Sequence, residues 1–222
     1  MAQVEKHMLS RLLYPNPVCL LCTSSPETKE KNVMVLSWVT PINNEGDLVC
    51  SVNKKRWSAS LIQKTGRFGA LQGPARTMLF YYDNFLRVIL LISFAVLNVP
   101  VKGMESTILA IGSCSGQNSD KFGALGLKLC APGWKPLPHD LDVSLQDLGA
   151  LDLALADCVC QIQCVVETTL EHSDHFVLFA KMITGFVLRQ YWDGRNFIQQ
   201  SNDLPPYMSF LGTKHFAYVR KE

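Results

Sequence analysis

Apolar positions in the opening part of the chain recur at strand spacing. Val18 to Thr23, Asn32 to Val39 and Leu48 to Asn53 are short β-prone runs, parted by Ser24-Ser25-Pro26 and by Pro41-Ile42-Asn43-Asn44-Glu45-Gly46. Turn formers between runs of that length predict an antiparallel meander, so the chain opens as a β protein. Trp57 to Lys64 changes the period: Leu61 and Ile62 share a helical face, with Ser58 as N-cap and Gly66 as stop. Two further short helices are predicted, Met104 to Ile111 ended by Gly112 and Asp120 to Leu125 ended by Gly126. Ala131 to Leu155, with Pro132, Gly133, Pro136 and Pro138, reads as a long connection over the surface. From Ala156 the alternation of Ala156, Cys158, Cys160, Ile162, Cys164 and Val166 with Asp157, Gln161, Gln163 and Glu167 predicts a half-buried strand. Phe176 to Leu188 is its expected antiparallel neighbour, and Phe216 to Val219 a candidate to close the sheet.

One segment breaks this plan. Gly69 to Phe94 puts an apolar, aromatic-rich run after a helix that Gly66 has already ended, so 69–94 reads as an insertion into a single domain spanning 1–222. Its apolar stretch with the next residues, Val88 to Leu97, is too short to cross a bilayer as a helix.

Composition narrows the class of function. A chain of 222 residues with 48% hydrophobic residues can bury one good core. Net charge +2 with 18% charged residues gives no basic excess of the kind that nucleic acid or an anionic membrane selects, so neither is expected as a partner. The eight cysteines follow no charged and apolar leader, so their thiols are expected to be reduced and the setting cytoplasmic. Cys19 and Cys22 have CxxC spacing inside a strand-like run that would point them to opposite faces, and Cys158, Cys160 and Cys164 share one apolar face, so no metal is assigned.

Two loops carry candidate chemistry. Lys54-Lys55-Arg56-Trp57-Ser58 lies where a strand gives way to a helix, so cations, a hydroxyl and free N–H groups can meet an anion there. Ser113-Cys114-Ser115-Gly116-Gln117-Asn118-Ser119-Asp120-Lys121 is a small-residue loop entering a helix, with hydroxyls, accessible amides and one lysine. Either alone is equally a solvated turn; together in one β fold they suit a nucleotide-like ligand. Neither a Walker nor a Rossmann glycine fingerprint is present.

In order and spacing, Asn32-Val33-Met34-Val35-Leu36-Ser37-Trp38, Ser51-Val52-Asn53 with Arg56 and Ser58, and Cys114-Ser115-Gly116 with Asp120-Lys121-Phe122 resemble the flavin reductase-like family of flavoredoxin type. Pro15-Asn16-Pro17-Val18, Asp174-His175, Tyr191-Trp192-Asp193-Gly194 and Phe210-Leu211-Gly212 extend the likeness over nearly the whole chain except 69–94. In that family the helix ending near Thr65-Gly66-Arg67-Phe68 runs almost directly into a strand like Ala95-Val96-Leu97-Asn98-Val99-Pro100. Removing Gly69 to Phe94 restores that arrangement, which marks the segment as a lineage-specific insertion or a translated intron.

The resemblance implies a mainly β, FMN-binding split β-barrel with short peripheral helices, a homodimer, and an NAD(P)H-dependent flavin or electron-acceptor oxidoreductase using NADH or NADPH. By the same resemblance Asn32, Met34, Val35 and Ser37 line the isoalloxazine, Ser51, Val52 and Asn53 stand on the adjoining strand, and Arg56 and Ser58 form the phosphate turn that Ser115, Gly116 and Lys121 complete. His175 matches a position near flavin and nicotinamide, against the plainer reading of a structural histidine at a strand end. Two rivals stay open: a non-catalytic FMN electron carrier, and a barrel that has lost flavin through the insertion.

Overall fold

The computed structural model describes residues 4–25, 28, 30–65, 94–137 and 153–220. The segment 69–93, Gly66, and 138–152 of the expected long connection lie outside the described residues. Among the described residues a 3-10 turn at Lys6–Leu13 precedes twelve strands: β1 (Asn16–Pro17), β2 (Cys19–Ser24), β3 (Lys31–Leu36), β4 (Val39–Pro41), β5 (Asp47–Asn53), β6 (Phe94–Val99), β7 (Leu129–Cys130), β8 (Ala154–Leu155), β9 (Cys160–His172), β10 (His175–Val187), β11 (Tyr207–Gly212) and β12 (His215–Val219). Helix α1 (Trp57–Thr65) follows β5, and α2 (Glu105–Ser113) and α3 (Lys121–Ala124) follow β6.

Seven strands form one curled half-barrel sheet in the order β3-β2-β6-β9-β10-β5-β4, every pairing antiparallel. The expected meander is therefore corrected: β2 pairs β3, but β3 and β5 lie towards opposite ends of the sheet. The run Asn32 to Val39 is not one strand either. It breaks at Ser37-Trp38, where the chain passes from one sheet edge to the other, and the Trp38 carbonyl accepts from Ser51 N at 2.9 Å. Phe216 to Val219 closes a separate three-stranded sheet, β1-β11-β12, rather than the main one.

Two apolar layers explain the sequence pattern. Alternate residues of the sheet, among them Cys19, Leu21, Met34, Leu36, Cys50, Val52, Leu97, Cys164 and Leu178, fill the concave side, with Ala59 and Ile62 of α1 packed among them. Val18, Leu20, Cys22, Val33 and Val96 face the other way, under Ile108 and Ile111 of α2 and Phe122 of α3. All six residues of β2 are buried, which is why it reads as a continuous apolar run rather than an alternation. The opposite facing of Cys19 and Cys22 follows from the same pleat, and all eight cysteines are free.

The region after residue 155 departs from its expected alternation. Ala156 to Val159 form a turn, and the strand begins only at Cys160. Gln161, expected on the wet face, is fully buried: its Oε1 accepts from Gly133 N at 2.8 Å and Trp134 N at 3.4 Å, and its Nε2 donates to the Leu155 carbonyl at 3.1 Å. Asn98 is buried nearby, its Oδ1 accepting from Leu155 N at 2.9 Å. Two amide side chains thus hold both ends of the 131–155 connection on the sheet.

Candidate functional site

A cavity of about 210 Å³ opens where β3, the β5–α1 turn, the end of α2 and the start of α3 meet. Asn32, Met34 and Val35 come from β3, Lys55, Arg56 and Trp57 from the turn, Ile111 to Ser113 from α2, Cys114 to Gly116 from the following loop, and Lys121 from α3.

Local chemistry fixes each wall. Asn53 shapes the turn by accepting from Lys55 N through its side chain at 2.9 Å, while its carbonyl accepts from Arg56 N at 3.0 Å. Lys55 and Arg56 are consequently presented outward, and no ion pair among the described residues takes up either. Lys54 is committed elsewhere, to Glu171 at 2.7 Å. Helix α2 does not stop at Gly112 as the sequence suggested; it runs to Ser113, so the loop leaves one residue later. Asp120 caps α3 by accepting from Phe122 N.

Lys121 is buried, with Nζ donating to the Val33 and Ile111 carbonyls at 3.0 Å each. Burial pushes its pKa down, Arg56 adds to that, and the Cys114 thiol opposes it. Its ammonium therefore ties β3 to α2 beneath the cavity and adds positive potential to it.

Asn32 is the most informative group. It is 2% exposed, its Nδ2 donates to Ser58 Oγ at 2.8 Å, and its Oδ1 has no hydrogen-bond partner. Whichever way the amide is turned, one polar atom is spent on Ser58 and the other faces Gly116 and the cavity. A Cβ built on Gly116 would lie 2.0 Å from Asn32 Oδ1, so only glycine fits against it. A buried polar atom left open in this way is one that a ligand or a water in the cavity can satisfy.

The expected site residues divide into groups. Asn32, Met34, Val35, Arg56, Ser115, Gly116 and Lys121 line the first cavity. Ser37 and Ser51 line a second one of about 400 Å³, more apolar, with Tyr14, Trp38 and Val49. Val35 of the first cavity and Ser37 of the second are two residues apart on the chain, at the end of β3. Val52, Asn53, Ser58 and His175 line neither. Val52 is in the concave core, and Asn53 shapes the turn. Ser58 sits inside α1 rather than capping it as expected, and its buried hydroxyl accepts from Asn32 and from Thr23 Oγ1 at 3.2 Å. It supports the wall from behind.

His175 stacks on Trp38 with ring centroids 5.3 Å apart, and its Nδ1 lies 2.7 Å from Asp174 Oδ1. The carboxylate can only accept, so Nδ1 carries the proton. That bond, first among several, holds the Asp174 carboxyl below its ordinary range. Because Trp38 belongs to the second cavity, His175 reaches it through the stacked indole. Lys55, Trp57, Ser113 and Cys114 were not singled out from the sequence, although all four belong to the two loops that were. Which side chains of a loop turn inward depends on turn geometry, and only the Asn53 turn settles it.

Known proteins bear on this arrangement. A protein of Escherichia coli K12, YddH, described as uncharacterized, is 26% identical over 125 residues, 56% of this chain and 52% of that relative; the chain spans about half the length of that curated relative. Flavoredoxin from Methanosarcina acetivorans superposes with a TM-score of 0.65 at 18% identity, covering 100% of this chain and 92% of that one. The FMN-binding protein from Thermus thermophilus superposes with a TM-score of 0.65 at 13% identity, covering 100% and 95%. Identities this low speak for the fold, the curled half-barrel with α2 and α3 on its outer face. The match to the flavin reductase like domain runs over residues 9–195, from the 3-10 turn before β1 to the loop after β10, and on that span the chain belongs to the flavin reductase like family.

Proposed function

We propose that this chain binds FMN across the two cavities and works as an NAD(P)H-dependent flavin or electron-acceptor oxidoreductase, in the cytoplasm and as a homodimer. The observation that carries the reading is the pairing, in the first cavity, of unpaired cations with a buried, unpartnered carbonyl oxygen on Asn32. A bare anion would serve Lys55 and Arg56, and the open polar atom of Asn32 asks for a further polar group beside it. A phosphate ester of a polyhydroxy chain serves both, and FMN is such a molecule.

In this reading Lys55, Arg56, Ser113 and Ser115 hold the phosphate, with Lys121 adding charge from below. Asn32 accepts from a hydroxyl of the sugar chain. Met34 and Val35 give the ring an apolar wall, and Ser37 and Ser51 give its polar edge hydroxyls. The bound flavin supplies the two-electron chemistry, taking a hydride from NADH or NADPH and passing the electrons on. The chain's part is to orient: Trp38 offers a flat apolar face in the second cavity, 41% exposed, and His175, held by Asp174, sets that face. Eight free cysteines fit a reducing compartment. No helix among the described residues is long and apolar enough to cross a membrane.

Fluorescence titration of FMN tests the site. A charge-assisted hydrogen bond contributes about 1.5–3 kcal/mol, so Arg56→Ala should weaken FMN binding about tenfold or more. An unchanged affinity removes Arg56 from the site. Steady oxidation of NADH or NADPH with excess FMN tests the reaction, and a flavin-loaded protein without such turnover would be a carrier instead. Light scattering tests the dimer, against a protomer mass of 24.8 kDa.

A further inference from the structure

We propose that Cys114 is a modification site for small anionic disulfides, and that its mixed disulfide and the phosphate-bearing ligand of the first cavity exclude one another. The second half rests on the flavin reading above; the first does not.

The eight cysteines are not equivalent. Six are buried, and burial pushes the thiols of Cys19, Cys22, Cys50 and Cys164 up to about 12. Cys160, half-buried, is pushed up to about 11 by the same cause. Cys114 alone lines the cavity, half-buried, its Sγ donating to the Ala110 carbonyl at 3.3 Å. Lys55, Arg56 and Lys121 share that cavity, which concentrates anions beside the sulfur. Independently, the open Oδ1 of Asn32, a residue 2% exposed, lies against Gly116 of the cavity lining and offers a polar ligand a further partner. A disulfide carrying carboxylates and amide N–H groups meets both demands. The cavity, about 210 Å³, lies below the usual range of roughly 300–1,000 Å³ for ligand pockets. Cys114 stands in that lining between Ser113 and Ser115, so an adduct on Sγ would take the space of the phosphate.

The step is thiol–disulfide exchange. Cys114 loses its proton to solvent, its thiolate attacks one sulfur of the disulfide, and the S–S bond breaks. One half stays joined to Sγ; the other leaves as a thiolate and takes up a proton. A second thiol reverses the reaction, so the oxidant is the small disulfide itself.

Flavin-free full-length protein, incubated with glutathione disulfide and mapped by mass spectrometry without reductant, tests this. The first adduct should fall on Cys114, be removed by dithiothreitol, be absent from Cys114→Ser, and form several-fold more slowly with the cationic disulfide cystamine. A first adduct on another cysteine, no adduct, or equal rates with the two reagents overturns the assignment. Excess FMN should suppress the adduct; FMN that binds by equilibrium dialysis yet gives no protection overturns the exclusion. If FMN does not bind but inorganic phosphate slows the reaction, the flavin reading fails while the assignment of Cys114 stands. If neither protects, the exclusion is overturned.

Discussion

Gly116→Ala is the smallest change that probes the cavity. An alanine Cβ there would approach Asn32 Oδ1 to 2.0 Å and Asn32 Cγ to 2.6 Å, far inside contact distance. The neighbour cannot retreat cheaply, because Asn32 is buried and its Nδ2 is tied to Ser58 Oγ at 2.8 Å. If the amide turns away, that bond breaks inside a dry wall, at a cost of about 1–3 kcal/mol. If the loop moves instead, Ser113, Cys114 and Ser115 leave their places and the anion loses its donors. Thermal melting and FMN titration separate the two. A turned amide should lower the melting point by about 2–4 °C per kcal/mol in a chain of this size, whereas a displaced loop should spare the melting point and cut FMN affinity about tenfold or more. In an Asn32→Ala background the added alanine should cost almost nothing, a non-additivity expected only of residues in contact. A Gly116→Ala protein with unaltered melting and affinity, or a strictly additive double variant, would refute the reasoning.

Gln161→Leu should lower the urea midpoint, since it leaves at least the Gly133 N–H without its 2.8 Å partner, at about 1–3 kcal/mol, while FMN affinity holds. Asp47, bonded to Lys181 at 2.7 Å and to Asn43, has its carboxyl held below the ordinary 3.8. Its folded pKa is depressed, so the contribution is present above pH 3.8 and lost as pH falls through the lowered value; Asp47→Asn should melt earlier than the parent at neutral pH, and the gap should close under strong acid. For 69–94, joining Phe68 to Ala95 should preserve FMN binding and raise solubility; a joined chain that fails to fold while the full chain folds would make the segment part of the core.

Much of this was legible in the sequence, for physical reasons. The pleat repeats every two residues, so the opposite facing of Cys19 and Cys22 and the span of β10 follow from local pattern. Cations at a strand-to-helix turn are local too. What was not legible depends on pairing over distance. Nothing near Leu36 states that β3 will be an edge strand while β5, a turn away, pairs with β10 at the far side of the sheet. Gln161 misleads because a polar residue usually marks the wet face; here the backbone of 133–134 and Leu155 supplies the partners that let it be buried. Ser58 misleads likewise, since a serine at the start of a helix is a cap only if the helix begins after it, and this one begins at Trp57.

The strand order carries a consequence for biosynthesis. The β2–β3 and β4–β5 hairpins are made early, and β6 can extend the first of them. Only the β9–β10 hairpin, residues 160–187, joins the two groups, because β9 pairs β6 and β10 pairs β5. A ribosome therefore releases two separate patches of sheet, each with an unpaired edge, and must synthesise Val187 before those edges are covered. Contacts so distant along the chain are slow to form and leave sticky edges in the meantime. A chain ending before β9 would hold the β3-β2-β6 and β5-β4 patches with nothing to join them.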